Sequence, residues 1–310
     1  MSTTSPQVAI FGPNPLLTVT LEANAGGDDL HLHAGGQGVW VARIAGELGA
    51  WPVLCGFAGG EAAAALVPLL EALPGELRLT RTAVSSGWYV TDRRGGERRL
   101  LASATSPPPS RHELDDLVSA TIAAALCSRV LVVCNPFPGD NLPLEVYGRL
   151  VGDARSNGVT VIVDLSTPRL EAALAGRPDL VKLNDWELAE VVRAPVSEPA
   201  QMRAAVEHLR SLGAGTVLVT RGVEAAVLFR GDETFELIGP RFENGAREGC
   251  GDTMVGAIAA SLAGGRPLHD ALVTGAAAGA ANFLRHGLGT GDRDVIAELA
   301  GSVQLRPLAA

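Results

Sequence analysis

The stretch Glu248-Gly-Cys-Gly-Asp-Thr-Met-Val-Gly-Ala-Ile-Ala-Ala-Ser261 decides how the rest of the chain is read. Two glycines flank Cys250, an acid follows at Asp252, and Met254, Val255, Ile258, Ala259 and Leu262 then recur at helical spacing. The pattern is a glycine turn feeding a buried helix. Such a turn aims free backbone N–H groups and the positive end of a helix dipole at one point, which suits an anion. A carboxylate there would repel a merely stored anion, but it fits a base that deprotonates a hydroxyl attacking a phosphoryl group. The simpler reading of the same residues is a helix start with Asp252 as capping acid. What surrounds the turn decides between the two.

Upstream of it, helix and strand patterns alternate. Helix 110–127 precedes strand 129–134, helix 143–156 precedes strand 159–164, and helix 168–175 precedes strand 179–183. Helices 185–192 and 199–212 lead to strand 216–220, and the glycine helix is followed by helices 268–286 and 292–300 and a short strand near Val303. Continuous apolar strands between helices mean a mostly parallel sheet covered on both faces, an α/β fold. Ligands of such sheets sit beyond the carboxyl ends of the strands. Those ends carry Asn135, Asp164, Lys182-Leu-Asn184 and Thr220-Arg-Gly222. Each alone reads as a turn or cap residue; together with Gly249 to Asp252 they mark a site.

The first hundred residues differ. Val8 to Gly12 is a short buried strand, Val39 to Leu48 a helix, Val53 to Phe57 a strand and Glu61 to Leu73 a helix. Leu17 to Leu21 and Leu30 to His33 alternate apolar with polar residues about the turn Gly26-Gly-Asp-Asp29, and Trp88 to Val90 and Arg98 to Leu101 do the same about Asp92 to Gly96. Two such hairpins, segments 16–34 and 84–104, predict a small β sheet standing off the main body as a lid. Arg93, Arg94, Arg98 and Arg99 in the second hairpin are either anion contacts or a solvated face.

The totals narrow the function. With 25 Lys and Arg against 34 Asp and Glu, the net charge is -9, which argues against a nucleic-acid surface. No apolar run approaches a membrane span, the N-terminus lacks a signal pattern, and a cytoplasmic setting is expected. The four cysteines, Cys55, Cys127, Cys134 and Cys250, are scattered and mostly lie in apolar runs, so they read as reduced, buried thiols rather than disulfides or zinc ligands.

The motifs resemble those of the ribokinase-like, or PfkB, sugar kinases, in particular the phosphofructokinase and tagatose-phosphate kinase branch. Gly249-Cys-Gly-Asp-Thr253 is similar to Gly-Ala-Gly-Asp-Ser/Thr, Lys182-Leu-Asn-Asp-Trp-Glu187 to Lys-Pro-Asn-x-x-Glu, and Thr220-Arg-Gly222 to Ser/Thr-x-Gly. Gly35-Gly-Gln-Gly-Val-Trp-Val-Ala-Arg43 resembles Gly-Gly-Lys-Gly-x-Asn-Val-Ala-Arg. The likeness covers essentially the whole chain, implying one domain over 1–310. It implies Asp252 as catalytic base and the backbone at Gly249, Cys250 and Gly251 as stabiliser of the transferring phosphoryl group. It implies ATP and Mg²⁺, with Asn184 and Glu187 organising the metal through water and phosphate. Thr220 and Gly222 would flank the nucleotide, Ala281 and Arg285 would lie near the purine, and Lys182 would face the phosphates. Asn14, Thr18, Gly35, Gly36, Gln37 and Trp40 would hold the acceptor, a sugar-like small molecule, and the lid would join a homodimer.

Three acceptor positions depart from the pattern. Thr18 stands where the family has an acid, Trp40 where it has the sugar-binding Asn, and Gln37 where it has Lys; Gly87 and Trp88 stand near the place of an arginine that would bind a 6-phosphate. These changes predict an atypical acceptor pocket and make fructose 6-phosphate doubtful. A nucleoside kinase, with Trp40 stacked on the base, and a non-catalytic nucleotide- or sugar-binding regulator are the competing readings.

Overall fold

Strands buried on both faces need apolar side chains at every position, and Val130-Leu-Val-Val-Cys134 is buried throughout. The computed structural model describes residues 5–136, 139, 142–285 and 288–308. In chain order the elements are β1 (Gln7–Phe11), β2 (Leu16–Asn24), β3 (Gly27–Gly35), α1 (Gln37–Glu47), β4 (Trp51–Gly59), α2 (Gly60–Glu71) and β5 (Glu76–Thr82). Next come β6 (Trp88–Asp92), β7 (Arg99–Ala104), α3 (Arg111–Leu126), β8 (Val130–Cys134), α4 (Glu145–Ser156), β9 (Thr160–Asp164) and α5 (Arg169–Leu174). The chain ends with β10 (Leu180–Asn184), α6 (Asp185–Val192), α7 (Pro199–Leu212), β11 (Thr216–Arg221), β12 (Glu224–Arg230), β13 (Glu233–Ile238), α8 (Cys250–Ala263), α9 (Leu268–Phe283), α10 (Arg293–Ala300) and β14 (Gln304–Pro307).

Among the described residues, ten strands form one sheet in the order β14-β13-β12-β11-β10-β9-β8-β1-β4-β5. From β11 to β5 the pairing is parallel; β12, β13 and β14 extend one edge antiparallel. The parallel body is as the sequence implies. The sequence reading lacked β5, β12 and β13, and it carried the helix after α8 to residue 286, where the structure ends α9 at Phe283; residues 286 and 287 lie outside the described set.

Alternate residues of a strand face opposite layers. Ala9 and Phe11 of β1 therefore join a core with Leu117, Tyr147, Leu170 and Met202 of the α3–α7 layer. Val8 and Ile10 join the other core, with Val39, Leu66, Val255 and Leu272 of the layer of α1, α2, α8 and α9. Helix α8 is apolar all round because it is enclosed by α1, α9 and the sheet, as a helix without a polar stripe must be.

The two hairpins form a separate four-stranded sheet, β3-β2-β6-β7, in which β2 and β6 pair in parallel. Leu17 lies opposite Trp88 and Val19 opposite Val90, while Leu101 falls in a bulge of β7 and is 44% exposed. Arginines of this sheet are structural rather than free anion contacts: Arg94 pairs with Asp92 and Asp28, Arg99 with Asp92 and Arg93 with Glu22, while Arg98 stacks on Tyr89. These partners hold the Asp92 carboxyl well below the usual carboxylate range, Arg94 contributing most. All four cysteines are free thiols, but Cys127 is exposed at the end of α3 and Cys250 is half-buried, so only Cys55 and Cys134 are the buried thiols the sequence suggested. No helix among the described residues is long and apolar enough to cross a membrane.

Candidate active site

α8 packs on β1, β8 and β9 and brings its N-terminus over the carboxyl ends of the strands. Gly249 precedes it in the left-handed region (φ 76°), a conformation that favours glycine, and no side chain caps the helix. Cys250 N–H bonds back to Arg247 O at 3.4 Å, so the N–H groups of Gly251 and Asp252 are the ones left for a ligand. Gly251 is required by a close approach: a Cβ there would stand 2.7 Å from Lys182 Nζ.

Asp252 sits in that first turn. Burial raises its carboxyl to about 7, Asp164 adds to the effect, and Lys182 and a hydrogen bond from Gln37 oppose it. A carboxyl titrating near neutrality can take a proton and exist ionised at working pH, which is the property of a general base. Lys182, at the end of β10, donates to Asp164 Oδ2 at 3.0 Å and Oδ1 at 3.3 Å, both side chains being deeply buried. Burial works against its charge, but Asp164, Asp252 and Glu187 outweigh burial and raise its pKa. Lys182 is therefore a fixed cation between the base and the cavity, not a surface lysine.

Asn184 and Glu187 form a reciprocal capping box on α6: Asn184 Oδ1 accepts from Glu187 N–H at 2.9 Å, and Glu187 Oε2 accepts from Asn184 N–H at 2.8 Å. The box holds both side chains at the cavity end of β10. Burial raises the Glu187 pKa, helped by Asp164 and opposed by Lys182. Among the described residues no three His, Cys, Asp or Glu side chains are grouped to hold a metal ion by themselves.

Beside these groups opens a cavity of about 510 Å³. One wall is the β11–β12 turn, with Thr220 and Gly222; another is the end of β13 and the segment after it, Leu237 to Phe242; a third is α9 through Ala276, Gly279, Ala280 and Phe283; Trp186 stands at the rim. Lys182, Cys250 and Gly251 close the inner end. Ala281 and Arg285 do not line it, contrary to expectation. Ala281 is one position off the cavity face of α9 and is buried against Ile44, Ala257 and Ile296, and Arg285 lies past the helix end, exposed.

The acceptor candidates gather on the other side of Asp252. Gly36 caps α1, and Gln37 follows as its first residue. Asn14 is buried and donates to Pro136 O at 3.4 Å. The Thr18 hydroxyl donates to His33 O at 3.2 Å, and its methyl lies against Gly35. Trp40 is half-buried with its backbone against Gly289, and Arg43 ties this region down by donating to Leu288 O and Ala34 O.

Sequence reasoning left one residue without its partner and passed over another. Asp164 was visible as one acid at a strand end, but its pairing with Lys182 depends on β9 and β10 being neighbours. Asn282, fully buried in the Ala/Gly-rich α9, donates to Glu248 O at 3.0 Å and accepts from Thr290 N–H at 3.2 Å, fastening the glycine turn to the loop beside Trp40. A lone polar residue directly after Gly275-Ala-Ala-Ala-Gly-Ala-Ala281 was its signal.

A near-neutral base beside an uncapped glycine turn and a buried cation, at the inner end of a nucleotide-sized cavity, is the equipment of an enzyme that phosphorylates a hydroxyl. Comparison with known proteins specifies the kind. The signature of the pfkB family carbohydrate kinase matches residues 16–294. The chain is 31% identical to the 1-phosphofructokinase of Rhodobacter capsulatus over 73% of this chain and 72% of that one. It is 30% identical to the ATP-dependent 6-phosphofructokinase isozyme 2 of Escherichia coli (strain K12) over 82% of each. The crystal structure of a point mutant of phosphofructokinase-2 from Escherichia coli superposes with a TM-score of 0.84 at 24% identity, covering 96% of this chain and 99% of that one. This chain belongs to the pfkB family of carbohydrate kinases, phosphotransferases with an alcohol group as acceptor.

Proposed function

We propose that the chain transfers the γ-phosphoryl group of ATP to a hydroxyl of a fructose phosphate. The observation that carries the reading is the Asp252 carboxylate in the first turn of α8, behind the uncapped Gly249 turn and beside Gly251, which Lys182 Nζ approaches. Asp252 takes the hydroxyl proton, the alkoxide oxygen attacks the γ-phosphorus, and the bond to ADP breaks in line. N–H groups at the start of α8 and the Lys182 ammonium stabilise charge on the transferring group. Magnesium fits the oxygen donors Asn184 and Glu187, which the capping box keeps at the cavity end of β10 and which a hydrated hard cation takes through its waters. When bound, it would neutralise charge on the phosphates, with Asn184 and Glu187 reaching its waters.

The names of the sequence relatives support a phosphorylated ketose as acceptor, and on that ground the expectation that made fructose 6-phosphate doubtful is withdrawn. Thr18, Gln37 and Trp40 then change how the sugar is held rather than which class is taken. The test is ADP release with magnesium and ATP over fructose 1-phosphate, fructose 6-phosphate, tagatose 6-phosphate and a set of nucleosides. Turnover of a fructose phosphate is expected. Turnover confined to nucleosides would overturn the acceptor class, and no turnover at all would overturn the reading.

The small sheet, segments 16–34 and 84–104, is read as a lid over the acceptor side. One face presents Leu17, Val19, Leu30, Leu32, Trp88 and Val90, with Leu30 60% and Leu32 42% exposed. A second copy of the chain is the occupant proposed for that face. Light scattering is expected to give twice the 32.0 kDa chain mass, and Leu30→Asp with Leu32→Glu to give the monomer. A monomeric parent protein would dispose of the idea.

A further inference from the structure

Among the described residues, four cationic side chains line the cavity beside α8: Lys182, Arg221, Arg241 and Arg247. Two of them are engaged. Lys182 is paired with Asp164, while Arg221 lies 3.3 Å from Glu224 and 3.6 Å from Glu236 and donates from Nε to Ala225 O at 2.7 Å. Arg241 and Arg247 are exposed, and among the described residues neither guanidinium has a hydrogen bond or an ion pair. Their settings differ. Arg241 belongs to the wall after β13, whereas Arg247 is joined through its own carbonyl to Cys250 N–H at 3.4 Å, at the inner end of the cavity. The backbone on either side of Arg247 is fastened to the last turn of α9. Ala246 N–H donates to Phe283 O at 2.9 Å, and Glu248 O accepts from Asn282 Nδ2 at 3.0 Å. Gly245 passes so close that a Cβ there would stand 2.1 Å from Phe283 O. Arg247 is thus a fixed root carrying an unengaged head.

We infer that Arg247 is a nucleotide-binding residue, its guanidinium holding the terminal phosphates at the inner end of the cavity. This rests on the kinase reading above. A polyphosphate brings several negative charges into a protein whose net charge is already -9, and the Lys182 ammonium that meets it is balanced by Asp164 at 3.0 Å. The inner end therefore needs a cation with no carboxylate of its own, and Arg247 is the one whose chain position is tied to the first residue of α8. A planar guanidinium takes two phosphate oxygens at once, which an ammonium cannot do. Because the backbone at Ala246 and Glu248 is held before any ligand arrives, binding orders the side chain alone, and the entropy lost is correspondingly small. Arginine keeps its charge at every working pH, so it stabilises the phosphates and takes no part in moving the proton, which stays with Asp252.

The test is calorimetric titration of the parent protein, Arg247→Met and Arg247→Lys with ATP, ADP and AMP, in magnesium and without acceptor. Met keeps the length of the side chain and removes its charge. For Arg247→Met the Kd of ATP is expected to rise about 10–50-fold, as for loss of one charge-assisted contact, while the Kd of AMP, which lacks the terminal phosphates, stays within about 2-fold. ADP should fall between the two, and Arg247→Lys should recover part of the loss because it restores charge without the fork. Since the side chain has no partner in the protein, the unfolding midpoint of the nucleotide-free variants is expected to match the parent. A loss shared equally by ATP and AMP, no loss for any nucleotide, or a lowered midpoint would overturn the inference. Failure of the kinase reading shows separately: a parent protein that binds ATP but turns over no acceptor sinks that reading and leaves the Arg247 contact standing, whereas a parent that binds no ATP sinks both.

Discussion

Asp252→Asn is expected to lower kcat by on the order of 10²–10⁴-fold and, at the same time, to make the protein more stable above neutral pH. The two effects share one cause. Burial and the Asp164 charge hold the folded-state pKa of Asp252 at about 7, against 3.8 for an unperturbed group. A carboxyl whose folded pKa stands above its unfolded value opposes folding once the pH exceeds the unfolded value, and the opposition is complete when the pH passes the folded one. Between 3.8 and about 7 the parent protein therefore loses stability that the amide variant keeps. Because the residue is partly reached by solvent, the difference at pH 8 is put at about 1–3 kcal/mol, below the full linkage value. At pH 4 the two proteins should unfold together. Equal kcat in parent and variant would remove Asp252 from the chemistry; a variant less stable at pH 8 would contradict the electrostatic account.

Lys182→Met carries the second large effect. It leaves Asp164 buried with its partner gone, which costs about 3–5 kcal/mol when a buried pair is broken from one side. Activity should fall too, since the cation against Gly251 is lost and Asp252 faces two carboxylates without compensation. The double variant Asp164→Asn/Lys182→Met is expected to recover much of the stability and none of the activity, because it removes the stranded charge without restoring the cation. Denaturant titration of the three proteins reads this directly. A single variant costing less than about 1 kcal/mol would show that the pair is open to water.

The central facts of the fold were legible because they depend on local pattern. Uninterrupted runs such as Val130 to Cys134 can only be strands covered on both sides, and the Gly249 turn before an apolar helix has few other readings. Asn184 and Glu187 were legible as a pair at the end of a strand, and the structure has them as one capping box at the cavity end of β10. Where a segment carries no phase, reading failed. α9 from Gly275 to Ala281 is all alanine and glycine, so no polar stripe marks which face meets the cavity, and Ala281 was placed on it when Ala280 and Gly279 belong there. The hairpin of β12 and β13 was passed over although it supplies much of the cavity wall; its strands are short, and Glu233 to Ile238 alternates only weakly. Pairings such as Lys182 with Asp164 are facts about strand order, which no local window contains.

α1 and α8 run side by side with their N-termini together, and at Gly256 they touch so closely that a methyl group would stand 2.2 Å from Ile44 Cγ2 and 2.7 Å from the Val41 carbonyl oxygen. The glycine turns at Gly36 and Gly249 are the tips of these two helices. They behave as the jaws of a fixed gauge: nothing between them can slide to admit a larger molecule. On the function proposed above, tolerance for acceptors of different size would come from outside these two helices, and selection for a broader range of sugars would leave Gly256 and its neighbours alone.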